Sequence, residues 1–258
     1  MEPVANVCLS GLPVSVRVKF LHLPSELLFK IYSDWLDPHR ISHWDSAICS
    51  RQDRQQWLEY LKSRHTLPTV RLNGFKPIHT SYIAWLASRC VRAFGLELVK
   101  PNVNDTEFVP ALESWLKHSG PIIESVLLEG CHDCVIHCIR ENCTNLRKIT
   151  LSEILSMDSY WDILHANYNL KELSISVRYD CNFCVQIPDD FVLSWVKKVS
   201  IDMRLFGSNL LFFDFISKFP SLECLVLFKY ELFSFVVGQL DKHLLIETLP
   251  NLKDVYLR

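Results

Sequence analysis

Glycine is scarce, with seven in 258 residues, so the glycine-rich loops that cradle phosphate groups are not expected. An excess of one charge is lacking too. The formal net charge is -2, which supplies no broad basic field of the kind nucleic acid demands. The apolar stretches at 210–219 and 232–240 are interrupted or too short to cross a bilayer. The chain opens Met-Glu-Pro-Val-Ala-Asn, without a basic stretch leading into an apolar one, so no secretory signal is read and a cytoplasmic or nuclear location is expected. The Asn104-Asp105-Thr106 and Asn142-Cys143-Thr144 sequons are then chance matches.

Catalytic signatures are missing as well. Ten histidines are scattered without a His-Glu-x-x-His pair, and there is no Gly-x-Ser-x-Gly elbow, nucleotide-binding loop or Cys-His nucleophile arrangement. No enzyme and no cofactor are expected. Ten cysteines are spread over a long chain with no export signal, which points to reduced thiols. Cys131-His132-Asp133-Cys134 and Cys181-Asn182-Phe183-Cys184 have a spacing that suits zinc. They fall about two structural units apart, and Cys134 and Cys138 lie one helical turn apart in a predicted helix. Buried thiols, and no metal, are therefore the expectation.

What the chain does have is apolar surface, 49% of its residues, arranged in a recurring apolar-x-x-apolar-x-apolar pattern. It occurs at Leu67, Val70, Leu72; at Val91, Phe94, Leu96; at Ile123, Val126, Leu128; and at Leu146, Ile149, Leu151. Four more copies follow at Leu170, Leu173, Ile175; Val196, Val199, Ile201; Leu222, Leu225, Leu227; and Leu252, Val255, Leu257. The middle members are 24, 32, 23, 24, 26, 26 and 30 residues apart. Eight copies at so even a spacing imply a repeating structural unit. The last two apolar positions of each copy are two apart, so both point to one side of a short strand. Between the strands, Ile83-Ala84-Trp85-Leu86 and Trp161-Asp162-Ile163-Leu164 have the apolar spacing of a helix.

The run Cys143-Thr144-Asn145-Leu146-Arg147-Lys148-Ile149-Thr150-Leu151 resembles the cysteine-containing subclass of leucine-rich repeats, and Leu128-Glu129-Gly130-Cys131 supplies the matching cysteine after a strand. The resemblance implies an α/β leucine-rich-repeat solenoid over residues 65–258, with about eight repeats, parallel strands on the concave side and helices on the convex side. Phe75, Val99, Ile154, Arg178, Arg204 and Tyr230 stand where other copies would carry that cysteine, so the inner hydrogen-bond ladder of regular members is expected to be degenerate.

Residues between the inward positions line up across a solenoid into one surface. The middle outward position reads Arg71, Gly95, Leu127, Thr150, Ser174, Ser200, Val226 and Tyr256. Charge gathers at Arg147, Lys148, Glu172 and Lys198, and the late positions Val226, Phe228 and Tyr256 are apolar. Arg71, Leu127, Lys148, Glu172, Lys198, Val226, Phe228 and Tyr256 are thus the candidate partner-binding residues, with coverage by the loop at 228–233 the alternative for the apolar end. The last strand has no visible cap, so its edge is expected to need a partner.

Ahead of the repeats, after a tail at 1–19, residues 20–64 carry Leu23-Pro24-Ser25-Glu26-Leu27-Leu28-Phe29-Lys30-Ile31. Apolar residues at 27, 28, 31, 35 and 36 make an amphipathic stripe, with Pro24 in the first turn and Asp37-Pro38 as a stop. Two further helices are predicted near 39–46 and 51–62. The segment is similar to an F-box over 23–36, while Trp44-Asp45-Ser46-Ala47-Ile48-Cys49-Ser50-Arg51 departs from the family's Val-Cys-x-x-Trp-like run. The resemblance implies that Leu23, Pro24, Leu27, Leu28 and Ile31 meet a Skp-type adaptor of a cullin ubiquitin ligase. The other reading is that these helices cap the open end of the repeat core. Two functions follow as expectations: a substrate-recognition subunit holding a protein target on its repeats, or a plain scaffold or inhibitor. Neither involves nucleic acid or membrane.

Overall fold

The computed structural model describes residues 55, 66–73, 79–154, 157–177, 187–188, 191–202, 209–228 and 242–258. Tail, F-box-like segment, Cys181 and Cys184 lie outside them, apart from Gln55.

Eight strands form one parallel sheet in strict chain order. They are β1 (Thr66–Asn73), β2 (Arg92–Val99), β3 (Ser125–Glu129), β4 (Lys148–Ile154), β5 (Glu172–Val177), β6 (Lys198–Asp202), β7 (Cys224–Phe228) and β8 (Asp254–Leu257). Parallel neighbours require a crossover between them. The crossovers carry α1 (His79–Ser88), α2 (Phe108–Ser119), α3 (Asp133–Asn142), α4 (Asp158–Ala166), α5 (Asn209–Ser217) and α6 (Lys242–Thr248). This is the repeated strand-and-helix unit that the apolar spacing predicts.

The apolar alternation determines which side of the sheet the helices cover. In β3, Val126 and Leu128 are buried while Ser125, Leu127 and Glu129 are half-buried. The same inward pair recurs as Ile149 and Leu151, Val199 and Ile201, and Leu225 and Leu227, all at 0% exposure. Against them pack Ile83 and Leu86 of α1, Leu112, Trp115 and Leu116 of α2, Val135 and Ile139 of α3, and Ile163 and Leu164 of α4. Each fully buried aliphatic side chain stabilises the array by roughly 1.5 to 3 kcal/mol.

The second repeat departs from the expected phase. Val70 pairs with Leu96 and Leu72 with Leu98, and these pair in turn with Val126 and Leu128. The inward set is Ala93, Leu96 and Leu98, not Val91, Phe94 and Leu96. Val91 is buried in the turn ahead of the strand, and Phe94 stands 51% exposed. The true spacings are 26 residues (70 to 96) and 30 (96 to 126). Two overlapping apolar frames exist here, and pairing with both neighbouring strands selects between them. Glu97 therefore takes the outward place expected for Gly95, and Pro101 that of Val99.

Between β5 and β6 no helix lies among the described residues; there Phe191, Leu193 and Val196 are buried instead. Phe191 sits edge-on to Trp161 at 4.5 Å between ring centroids, and Trp161 also lies 6.3 Å from Phe215. At Gly120, beginning the 3-10 turn Gly120–Ile122, an added Cβ would come within 2.3 Å of the Asn142 carbonyl oxygen. A side chain there would push apart two adjacent repeats.

Among the described residues the cysteine ladder has one rung. The Cys131 thiol donates to the Leu98 carbonyl, 3.7 Å away in the preceding repeat. Other groups tie the repeats at the opposite ends of the strands. Buried Ser119 accepts the Ala93 N–H at 2.9 Å, and Trp115 donates to the Val91 carbonyl at 2.7 Å. Buried Asn167 accepts the Leu146 N–H at 3.0 Å while donating to Ile163 at 2.8 Å. These satisfy backbone groups whose burial without a partner would cost about 1 to 3 kcal/mol each.

Candidate functional site

The sheet face away from the helices is ordered in rows because the strands are in register. The central row reads Arg71, Glu97, Leu127, Thr150, Ser174, Ser200, Val226 and Tyr256 across all eight strands. A neighbouring row, two residues earlier, holds Ser125, Lys148, Glu172, Lys198, Cys224 and Asp254. A third row runs through Phe94, within β2, and then just before the later strands through Glu124, Arg147, Lys171, Lys197, Glu223 and Lys253. Its backbone carbonyls from Phe94 to Glu223 each accept N–H groups from the next repeat.

Opposite charges meet along these rows. Arg71 contacts Glu97 at 3.3 Å, and Arg147 contacts Glu124 at 3.6 Å. Glu172 lies between Lys148 at 3.6 Å and Lys198 at 3.9 Å. Glu223 is held between Lys197 at 2.6 Å and Lys253 at 2.7 Å. Hydrogen bonds from those two ammonium groups hold its carboxyl down at about 2. All these pairs are open to solvent, the carboxylates being half-buried, so each contributes little to stability in water.

The predicted residues do not form one patch. Lys148, Glu172 and Lys198 are adjacent, on β4, β5 and β6. Arg71 and Leu127 lie towards the first strands, and Tyr256 is 49% exposed on the last. Val226, expected at the surface, is buried at 5% exposure, although it belongs to the outward row and not to the core cluster; Phe228 beside it is half-buried. The apolar end is therefore narrower than the alternation suggests. Alternation alone does not single out Lys171, Lys197, Glu223 and Lys253. Their signal is the pair of residues between the first two apolar positions of each copy, as in Arg147-Lys148, Lys171-Glu172 and Lys197-Lys198.

A second constellation closes the other end of the strands. Lys100, Gly130 and Glu153 occupy equivalent places after successive inward pairs, with φ of 46°, 56° and 51°. An added Cβ on Gly130 would approach Lys100 Cγ to 3.2 Å. Across that glycine the Lys100 ammonium reaches Glu153 at 2.6 Å, and it lies 3.8 Å from Glu129. The left-handed turn at Glu153 accompanies the register shift between Leu151 and Ile154.

Three of the described cysteines, Cys131, Cys138 and Cys143, are poorly suited to chemistry. Burial pushes the Cys131 and Cys138 thiols up to about 12, and burial also raises Cys143. Such thiols stay protonated at neutral pH and make poor nucleophiles and metal ligands. Among the described residues, no group of three or more His, Cys, Asp or Glu side chains is placed to hold a metal ion. No described helix is long and apolar enough to cross a membrane.

The geometry defines a class: a repeat array of parallel strands and returning helices, consistent with a leucine-rich-repeat-like solenoid, which presents one long face of registered side chains. No family model and no curated protein matches the chain. Among solved structures it is similar to the leucine-rich-repeat-containing protein LegL7 of Legionella pneumophila, at 14% identity and a TM-score of 0.34, over 78% of this chain and 86% of that one.

Proposed function

We propose that this protein is a non-catalytic scaffold that holds a protein target on the open face of its sheet. The observation that carries the reading is the row from Arg71 to Tyr256, one outward side chain per strand over eight registered strands. A surface of that kind binds by shape and by distributed contacts, as repeat arrays do. Ser174→Arg together with Ser200→Arg, at the centre of the row, should abolish target capture by the intact chain with its circular dichroism unchanged. Glu113→Arg on α2 should leave capture intact. Equal capture by all three proteins would remove the open face from the reading.

The finer reading makes the protein a substrate-recognition subunit of a cullin-type ubiquitin ligase. Its support is the F-box-like run at 23–36, whose apolar spacing is that of an amphipathic helix; such a helix would offer Leu23, Pro24, Leu27, Leu28 and Ile31 to an adaptor groove. Purified Skp-type adaptor should be retained by the intact chain and lost on Leu27→Asp. Failure of the parent chain to bind adaptor would sink the ligase reading and leave the scaffold.

A further inference from the structure

We infer that the band at the starts of β4, β5 and β6 is the docking site for an acidic, extended segment of the protein partner, with Lys171 at its centre. The inference rests on the scaffold reading above and gives that partner a chemistry.

Three adjacent strands bring together Arg147, Lys148, Lys171, Lys197 and Lys198, five cations against the single carboxylate of Glu172. The local formal charge is +4 in a chain whose net charge is -2. Part of this charge is already neutralised. Glu124 flanks the band on one side at 3.6 Å from Arg147, and Glu223 on the other at 2.6 Å from Lys197. Glu172 is shared between Lys148 and Lys198 at long distances. Lys171 makes no ion pair among the described residues, although it is exposed and in the middle of the row. Its backbone is fixed, since its N–H donates to the Arg147 carbonyl and its own carbonyl accepts from Lys197 and Lys198. An unneutralised ammonium on a rigid backbone, with two further cations on the strand to either side, favours an anion that spans several of them.

Strand spacing indicates what kind of anion. Three neighbouring strands cover roughly 10 Å, which three or four residues of extended chain match. Glu and Asp side chains along such a segment can reach successive strands. Nucleic acid fits less well, because none of the six residues of the band is aromatic and no base would find a stacking platform there.

The test uses the full chain and a fluorescein-labelled ten-residue glutamate peptide, read by anisotropy at low salt. The parent protein should bind, and binding should fall steeply as salt approaches ~0.15 M, where the Debye length is about 8 Å. Lys171→Glu should weaken binding about tenfold, whereas Lys117→Glu on α2, with the same change in net charge, should alter it less than about twofold. Glu172→Gln should tighten binding, a gain that misfolding cannot imitate. No binding, equal loss in both lysine variants, or stronger binding of a ten-nucleotide single strand would each overturn the proposal. If the peptide fails while Ser174→Arg with Ser200→Arg still abolishes target capture, the acidic segment is wrong and the scaffold stands. If that pair leaves capture unchanged, the scaffold reading itself fails.

Discussion

β7 and β8 carry the same apolar alternation and pair residue for residue, Leu225 with Val255 and Leu227 with Leu257. Yet Leu225 and Leu227 are fully buried, while Val255 is 44% and Leu257 59% exposed. The difference lies in neighbours. β7 is flanked on both edges, by β6 and β8, whereas among the described residues β8 is paired on one edge only. In an array of this kind an inward-pointing side chain becomes core only when the next repeat stacks against it. The interior repeats show the closed case, in which buried Asn167, Ser119 and Trp115 satisfy backbone groups of the preceding repeat. Towards the end, the ties are exposed: Asn251 donates to the Pro220 carbonyl at 2.9 Å, and Lys253 grips Glu223.

The largest expected effect separates the two strands directly. Leu227→Ala should cost about 3 kcal/mol in urea unfolding, as for a buried leucine, and Leu257→Ala less than about 1 kcal/mol. Equal costs would mean that β8 is as enclosed as β7, and the comparison would collapse.

A smaller effect distinguishes the ties. Asn167→Leu leaves the Leu146 N–H without its acceptor in a buried site and should cost about 2 kcal/mol. Asn251→Leu, whose carbonyl partner can turn to water, should cost under about 0.5 kcal/mol. Thermal unfolding of the two variants side by side reads this difference.

The smallest effect concerns the Lys197–Glu223–Lys253 bridge that joins the last three strands. Because the folded carboxyl of Glu223 is held at about 2, below the ordinary carboxylate range, its contribution to stability is present above that range and disappears as the pH falls towards 2. Carbon-detected NMR should place its midpoint near 2 at low salt. In ~1 M salt, where the Debye length is about 3 Å, the midpoint should climb back towards the ordinary range. A midpoint that ignores salt would show that the contacts are shielded from solvent.

Much of the repeat is legible in the amino-acid order. Seven of eight inward triads stand in the register where the alternation places them; burying apolar side chains on one side of a strand imposes a period of two, which accounts for all but the last, whose Val255 and Leu257 stay exposed. The helices around Ile83–Leu86 and Trp161–Leu164 are legible for the same reason at a period of 3.6. The exception at β2 has a physical origin. Val91, Phe94 and Leu96 satisfy the pattern as well as Ala93, Leu96 and Leu98, and only hydrogen bonding to β1 and β3 distinguishes them.

The amino-acid order by itself determined the repeat, its number of strands and the sign of each charge between the apolar positions. Tertiary structure alone decided which of those charges stand side by side. Lys171 follows Arg147 and precedes Lys197 by more than 20 residues of chain in each direction, yet the three occupy consecutive places in one row. It also decided that Val226 is closed to a partner while Tyr256 is open. Alternation tells which way a side chain points, but exposure depends on what the rest of the fold lays over it.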